Sequence, residues 1–190
     1  MKLILCSNSP RRKELLAGLD IPFEVRIKKG IEEPRPVGLT PVETAKSIAK
    51  GKAEAYEPEN DDEVILTADT IVVCDDVILG KPDDEADACR MLRLLSGRSH
   101  QVITGVALKS RNASRVFAVT SEVTFKTLTE DEISYYVEHY RPFDKAGAYG
   151  IQEWIGYIGV TRLEGSYFNV MGLPVQRIYE ELKTLPFAHC

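Results

Sequence analysis

The chain has 190 residues, 44% of them hydrophobic, and a formal net charge of −5, so it can bury the core of one domain or of two small lobes. An acidic chain lacks the broad basic face that sequence-independent nucleic-acid binding requires, so we expect no nucleic-acid partner. No apolar run approaches the length of a membrane span, and we expect no membrane partner. Only four apolar residues follow Met1 and Lys2, too few for a signal peptide, which favours a cytoplasmic location.

The four cysteines do not follow a metal-binding pattern. None of Cys6, Cys74, Cys89 and Cys190 forms a close CxxC pair, and no histidine cluster accompanies them. Cys6 and Cys74 fall in apolar, strand-like runs and Cys89 in a helix-like run, as expected of reduced, buried cysteines in the cytosol. The alternative is a nucleophilic Cys6, but no histidine lies near it in sequence to act as its base.

The stretch after the first apolar run predicts a phosphate-binding helix start. Residues 2–5 predict a strand, Ser9 is a favourable N-cap and Pro10 suits the first helical position. Arg11 and Arg12 lie in the first turn, where the helix dipole disfavours positive charge unless an anion is bound nearby. We therefore expect an anion, and a phosphate first of all, at this helix start. The alternative is a solvated basic turn.

Sequence periodicity predicts an α/β fold for the rest of the chain. The predicted elements are a strand over 23–28, a loop over 30–38, a helix from Pro41, a buried strand over 63–74, a tight turn at Asp75-Asp76 and a return strand over 77–79. They continue with a helix capped by Asp83 or Asp84 and ending at Gly97, strands over 101–109 and 116–126, a helix after Thr129 and a last helix over 175–185. Capping boxes open two of these helices, at Thr40 and Thr129. We expect one domain over 1–190, with a mixed, curved sheet flanked by helices and two lobes around a cleft.

Polar side chains interrupt this pattern at several places. Asp69 and Thr70 lie within the buried strand, where an unpaired carboxylate is costly unless a lysine or a bound cation neutralises it. Glu33 lies in the predicted loop, where an exposed acidic surface is the alternative explanation. Gln152 follows a run of small residues that lets the backbone approach a neighbour closely, and its amide is suited either to a base edge or to solvent. Together with the lysines at 52, 81 and 145, this set fits a polyphosphate bound with a divalent metal.

The same segments resemble the Maf family of nucleotide pyrophosphatases, which is related in fold to the inosine-triphosphate pyrophosphatases. The matching segments are 7–12, the loop around Glu33, 52–53, 68–70, 80–82, 145–152 and 169–174. The resemblance implies hydrolysis of a nucleoside triphosphate to the monophosphate and pyrophosphate, in a cleft between two lobes. It also implies a divalent metal, Mg²⁺ or Mn²⁺, and a homodimer.

The resemblance also implies residue roles. Asp69 is matched to the general base and, with Glu33, to the metal ligands. The matched substrate-binding residues are Ser7, Ser9, Arg11, Arg12, Lys52, Lys81 and Lys145. The residues matched to selection of the nucleobase are Arg12, Thr70 and Gln152. Together they resemble the type of the family that acts on dTTP and UTP, and CTP and modified pyrimidine nucleotides are further candidate substrates. Two departures stand out: Cys6 replaces a small alanine, and Glu153-Trp154 follow Gln152 where glycine is usual.

Two alternatives remain open at this point. One is a pyrophosphatase for 7-methyl-GTP, a second substrate class within the family. The other is a nucleotide-binding regulator of septum formation or cell division that acts without catalysis. The carboxylate of Asp69 among cationic residues favours a house-cleaning enzyme of the nucleotide pool, because binding alone does not need an acid among phosphates.

Overall fold

The computed structural model describes residues 1–31 and 36–184. The strands are β1 (Lys2–Leu5), β2 (Phe23–Val25), β3 (Glu63–Cys74), β4 (Val77–Leu79), β5 (Ser99–Lys109), β6 (Ser114–Phe125) and β7 (Val160–Glu164). The helices are α1 (Pro10–Ala17), α2 (Pro41–Glu54), α3 (Glu85–Leu95), α4 (Glu130–Tyr140), α5 (Trp154–Gly159), α6 (Tyr167–Met171) and α7 (Val175–Thr184). One seven-stranded sheet has the order β2-β1-β3-β5-β6-β7, with β4 paired to β3. The predicted α/β class with a mixed sheet flanked by helices is confirmed.

The chain divides into two compact units. The first contains Met1–Asp69, Thr104–Val119 and the chain from Gly172 onward, and the second contains Thr70–Ile103 and Thr120–Met171. The prediction of a cleft between two lobes stays a prediction. Within the described residues, no helix combines the length and apolar character that a membrane crossing needs.

The first unit is built on parallel strand pairing. Strand β1 pairs in parallel with both β2 and β3, so that Leu3 lies opposite Phe23 on one side and Val64 on the other. Because β1 is central to this pairing, its residues Leu3–Leu5 are completely buried. Strand β2 ends at Val25 and is shorter than the predicted strand over 23–28.

Helix α2 packs closely on strand β5 in the same unit. Its capping box is present as predicted: the Glu43 backbone N–H donates to Thr40 Oγ1, and the Thr40 N–H donates to Glu43 Oε2. A methyl group on Gly105 of β5 would lie 2.2 Å from the carbonyl oxygen of Ala45. Only glycine therefore permits the observed approach of the helix to the strand.

The second unit contains the tight hairpin of β3 and β4. Its turn residues Asp75 and Asp76 both have positive φ, at 47° and 64°, and Val72 pairs with Leu79 in the antiparallel register. This conformation suits the right-handed twist of the strands and confirms the predicted turn. Asp84, one of the two predicted caps, accepts the Asp87 N–H and opens α3.

Helix α5 and strand β7 were not predicted, because the glycines around them resemble loop residues. Gly156 lies inside α5, where a Cβ would be 1.7 Å from the carbonyl oxygen of Ile151. The glycine therefore serves close packing and not helix termination. Strand β7 then pairs antiparallel with β6, with Val123 opposite Leu163.

Candidate active site

The start of α1 is organised by two serines. The Ser9 Oγ accepts the backbone N–H of Arg12 at 3.4 Å, as expected of an N-cap, and the Ser9 N–H donates to Ser7 Oγ at 3.2 Å. These hydrogen bonds fix the loop that leads from β1 into the helix. The arrangement confirms the predicted helix start and places Arg11 and Arg12 in its first turn.

Arg12 fastens this helix start to two other segments of the first unit. Its Nη1 donates to the carbonyl oxygen of Ala68 at 2.7 Å, and its Nε donates to that of Gly172 at 2.9 Å. A planar guanidinium can serve two acceptors at once, whereas a lysine ammonium lacks this fixed fork. Arg12 therefore links α1 directly to the residue that precedes Asp69.

Asp69 is paired with Lys52 of α2. The Lys52 Nζ donates to Asp69 Oδ1 at 2.8 Å, and the two side chains are 15% and 17% exposed. The pairing supplies the neutralisation that a carboxylate in this strand needs. A carboxylate offers about four acceptor positions, so one lysine bond leaves acceptor capacity for other donors.

Cys6 is not arranged as a nucleophile. Its side chain is 7% exposed, it packs in an apolar cluster with Ile4, Tyr56 and Ile65, and burial raises the pKa of its thiol to about 12. A thiol in this environment stays protonated at neutral pH. The nucleophilic alternative for Cys6 is therefore wrong.

In the second unit, the glycine-rich stretch packs against the segment around Lys81. The Gly147 N–H donates to the carbonyl oxygen of Gly80 at 3.0 Å, and a Cβ on Gly147 would lie 2.9 Å from Val72 Cγ2. The predicted close approach of this backbone is thus present. It brings the peptide that precedes Lys81 against the start of the 145–152 stretch, while the Lys81 side chain is exposed.

Three side chains from residues 145–153 converge on Gly150. A Cβ on Gly150 would lie 3.0 Å from Glu153 Cδ, 3.1 Å from Gln152 Nε2 and 3.1 Å from Lys145 Cε. Gly150 has no positive φ, so the limited space around it, and not its backbone conformation, favours a glycine.

A buried polar network ties these side chains to α4. The Tyr136 hydroxyl donates to Glu153 Oε2 and accepts the Gly150 N–H at 3.0 Å. The Lys145 Nζ lies 3.0 Å from Glu153 Oε1 and 2.8 Å from Asp144 Oδ1. Burial, followed by the Glu153 carboxylate, raises the pKa of Tyr136, so the hydroxyl keeps its proton and remains a donor.

Gln152 presents an unsatisfied acceptor. Its Oε1 is buried and has no hydrogen-bond partner among residues 1–31 and 36–184. A buried amide oxygen without a partner costs about 1–3 kcal/mol, so it favours a ligand that brings a donor. This observation agrees with an amide that reads a base edge.

The carboxylate side chains show whether the described residues fit the divalent metal that the family resemblance implies. Glu33 lies outside the described residues, and within them no three His, Cys, Asp or Glu side chains form a ligand group. Mg²⁺ is commonly held by one or two carboxylates together with substrate phosphates and water. Asp69, with acceptor capacity beyond its lysine bond, fits that mode of binding.

The sequence did not identify Tyr136 or Gly172 as site residues. Tyr136 occupies a fully buried position of α4, so its helical spacing indicated only a core residue. Gly172 acts through its carbonyl oxygen, which no side-chain pattern reveals. Neither role could be recognised before the partners, Glu153 and Arg12, were placed in space.

Comparison with known proteins supports one family. The family model described as Maf-like protein matches residues 2–185. A dTTP/UTP pyrophosphatase of Phocaeicola vulgatus is 58% identical over 185 residues, covering 97% of this chain and 96% of the relative. A dTTP/UTP pyrophosphatase of Porphyromonas gingivalis is 55% identical over 185 residues, and the alignment covers 96% of this chain and 93% of that relative.

A solved nucleoside-triphosphatase, the dITP/XTP pyrophosphatase of Mycobacterium abscessus, aligns over 98% of both chains with 15% identity and a TM-score of 0.47. That score is too low to equate the two folds, and the fold described above rests on the strand pairing of this chain. The family match and the two relatives confirm the resemblance found in the sequence. Because the family model and these relatives extend over nearly its whole length, the chain belongs to the Maf family.

Proposed function

We propose that this protein hydrolyses dTTP and UTP to the nucleoside monophosphate and pyrophosphate, as a house-cleaning enzyme of the nucleotide pool. The observation that carries the proposal is the ion pair between Lys52 and Asp69. Asp69 directly follows Ala68, and the carbonyl oxygen of Ala68 accepts a hydrogen bond from Arg12 at the start of α1. The helix start to which we assign phosphate binding is thereby connected to a carboxylate and an ammonium. The names of the relatives from Phocaeicola vulgatus and Porphyromonas gingivalis supply the substrates.

The triphosphate-binding role falls to the residues of the α1 start and to the lysines. Backbone amides at a helix start favour an anion, and Arg11, Arg12 and Lys52 add positive charge within the same unit. Ser7 and Ser9 shape the loop, and their hydroxyl groups are further donors to phosphate oxygens. Lys81 supplies an exposed ammonium in the second unit.

Asp69 is the proposed general base. A carboxylate is a weak base at neutral pH, but it can orient an attacking water and accept its proton as the P–O bond forms. A Mg²⁺ or Mn²⁺ ion, when bound, acidifies water and neutralises phosphate charge, and Asp69 together with Glu33 would hold it. Lys52 holds the Asp69 carboxylate in one orientation through its 2.8 Å contact.

Choice of the base falls to Arg12, Thr70 and Gln152. The buried Gln152 Oε1 supports this role, because uracil and thymine offer an N–H donor to such an acceptor. Selection of a pyrimidine with an N–H at the ring edge agrees with dTTP and UTP.

The proposal includes a cytoplasmic homodimer. Cys6, Cys74 and Cys89 are free thiols, which suits a reducing compartment. The dimer follows from the family resemblance, and light scattering on the purified protein measures it directly.

A substrate screen tests the proposal. The protein is incubated with Mg²⁺ and dTTP, UTP, CTP or 7-methyl-GTP, and pyrophosphate is measured separately from orthophosphate. We expect pyrophosphate from dTTP and UTP at the highest rates. Preference for 7-methyl-GTP would move the protein to the other substrate class, and no turnover of any nucleotide would favour a regulator without catalysis.

A further inference from the structure

Gln152 lies in a four-residue turn that leads into α5. The Glu153 backbone N–H donates to the carbonyl oxygen of Gly150 at 3.0 Å, so residues 150–153 form a turn with Gln152 at its third position. One backbone hydrogen bond offsets little of the conformational entropy that is lost when such a turn is ordered. Further contacts are therefore needed to hold the turn in one place.

The Tyr136 hydroxyl bonds to both ends of this turn. It accepts the backbone N–H of Gly150, the first residue, at 3.0 Å and donates to Oε2 of Glu153, the last residue. Because Tyr136 is completely buried in α4, its hydroxyl group has a defined position. Burial also raises the pKa of Tyr136, so the hydroxyl keeps the proton that it donates. The turn is thus attached to α4 on both sides of Gln152.

Two further contacts hold the residues next to the turn. Oε1 of Glu153 lies 3.0 Å from Nζ of Lys145, so both oxygens of this carboxylate have partners. The hydroxyl of Tyr149, which precedes the turn, lies 2.7 Å from Nε2 of His100 in β5, and both of these side chains are buried. All of these contacts lie within the second unit. They leave the backbone of the turn little freedom to shift.

The position of this turn matters because Gln152 carries a buried acceptor. Its Oε1 has no hydrogen-bond partner among residues 1–31 and 36–184, and the proposed function assigns it to the N–H of uracil or thymine. An N–H···O hydrogen bond spans about 2.7–3.2 Å, so a displacement of the turn by about 1 Å would break it. Recognition of the base by Gln152 therefore depends on whatever holds the turn.

We propose that Tyr136 is a positioning residue for selection of the base: its hydroxyl joins the two ends of the 150–153 turn and so sets the place at which Gln152 meets uracil or thymine. This inference rests on the proposed function and concerns the backbone position of Gln152. Tyr136 does not touch the substrate in this role. A phenylalanine would fill the same space in the core, so the hydroxyl group is the part of the side chain that the turn requires.

A double-mutant cycle between Tyr136→Phe and Gln152→Ala tests this role in the full-length protein, with UTP and Mg²⁺. Tyr136→Phe keeps the buried ring and removes the hydroxyl, and Gln152→Ala removes the side chain that is to be positioned. Tyr140→Phe is the matched control, because Tyr140 lies on the same helix, stacks on Tyr136 and is 38% exposed. Thermal unfolding establishes that each variant is folded.

Glu153→Ala is a second variant that keeps the test decisive should Tyr136→Phe not fold. It removes the other end of the hydroxyl bridge and leaves Tyr136 in the core. The Glu153 side chain is 21% exposed, so its loss creates no cavity in the buried core. The same cycle with Gln152→Ala is measured for this variant.

We expect Gln152→Ala to lower kcat/KM for UTP about tenfold, as for the loss of one buried hydrogen bond, and Tyr136→Phe to lower it about fivefold, mainly through KM. The double variant should lose about tenfold and not about fiftyfold, because misplacement of a side chain has no effect once that side chain is removed. Glu153→Ala should couple to Gln152→Ala in the same way, and Tyr140→Phe should match the wild type. Amide exchange measured by NMR should be faster at Gly150 in Tyr136→Phe.

The outcomes separate this inference from the proposed function. If the wild type releases pyrophosphate from UTP and the losses in Tyr136→Phe and Gln152→Ala multiply, the hydroxyl group is only structural, and the inference fails while the function stands. Wild-type kinetics in Tyr136→Phe, or unchanged amide exchange at Gly150, would overturn the positioning role in the same way. If the wild type does not hydrolyse UTP, both the function and the inference fail.

Discussion

The ammonium group of Lys52 lies 2.8 Å from Oδ1 of Asp69, and both side chains are more than four-fifths buried. The contact joins α2 to β3 within one compact unit. It pairs a cation suited to a phosphate with the carboxylate proposed to orient water. Replacement of one partner should therefore affect the other, and the two substitutions should have different kinetic signatures.

Asp69→Asn should lose turnover and keep nucleotide binding. The amide is close to the carboxylate in size but cannot accept a proton, so kcat for UTP should fall by about 10²–10⁴-fold. Steady-state kinetics and calorimetric binding of UTP in the variant measure the two effects. Asp61→Asn is the control, since Asp61 is an exposed carboxylate of the same unit paired with Arg111. Wild-type rates in Asp69→Asn would rule out its role as the base.

Lys52→Met should raise KM and lower kcat. The variant removes a cation from the triphosphate and releases the Asp69 carboxylate from its partner, so kcat/KM should fall at least about tenfold. Lys50→Met on the same helix is the control, because Lys50 is exposed and pairs with Glu54. Equal effects of the two substitutions would show that only the charge of α2 matters and not the Asp69 contact.

Gly150→Ala should impair selection of the base without a large change in fold. The added methyl would lie 3.0 Å from Glu153 Cδ and 3.1 Å from Gln152 Nε2, so both side chains must shift. We expect a lower ratio of kcat/KM for UTP to that for CTP. Gly51→Ala in α2 is the control, since its methyl meets no atom within 4 Å and should stabilise the helix by up to about 1 kcal/mol. An unchanged ratio in Gly150→Ala would contradict the packing argument.

Glu63 should make the first unit sensitive to acid. Its buried carboxylate accepts Arg26 at 2.9 and 3.1 Å and the Glu59 N–H at 2.8 Å. The hydrogen bond from Arg26 is the main cause that lowers the pKa of Glu63 from 4.5 to about 2. Because the folded-state pKa lies below the unfolded value, the stabilisation is full above pH 4.5 and is lost as the pH falls toward 2.

Glu63→Gln therefore should lower the free energy of unfolding at pH 7 by about 3 kcal/mol, since it leaves Arg26 without its main partner. Urea denaturation of wild type and variant from pH 7 to pH 2.5 measures this difference, which should shrink on acidification. Glu57→Gln is the control, because Glu57 is exposed in its contact with Lys109. A difference that stays constant with pH would contradict the assignment.

Local signals in the sequence predicted the parts of the fold that depend on neighbouring residues. The caps at Ser9, Thr40 and Thr129 and the turn at Asp75-Asp76 are formed within a few residues, and the structure has all of them. Helix α5 was missed, because the need for glycine at 156 arises from its contact with the Ile151 carbonyl group. That contact is a matter of packing and has no sequence signature.

In the candidate site, too, some residues could be recognised from the sequence and others only from their contacts in the structure. Asp69 could be singled out as a carboxylate within an apolar strand, and a lysine partner for it was one of the open alternatives. Lys52 was named only as one of the cationic residues that fit a polyphosphate. The Tyr136–Glu153 contact joins α4 to the end of the glycine-rich stretch, 17 residues away in the chain. Since Tyr136 occupies a core position and Glu153 a loop, only their placement in space reveals the network.

Product analysis of UTP hydrolysis tests the central claim most directly. Phosphorus NMR follows UTP incubated with the wild-type protein and Mg²⁺, and distinguishes UMP with pyrophosphate from UDP with orthophosphate. Hydrolysis between the α- and β-phosphates predicts UMP and pyrophosphate in equal amounts, with a rate that Asp69→Asn reduces at least about a hundredfold. Formation of UDP and orthophosphate, or no consumption of UTP, would contradict the proposed function.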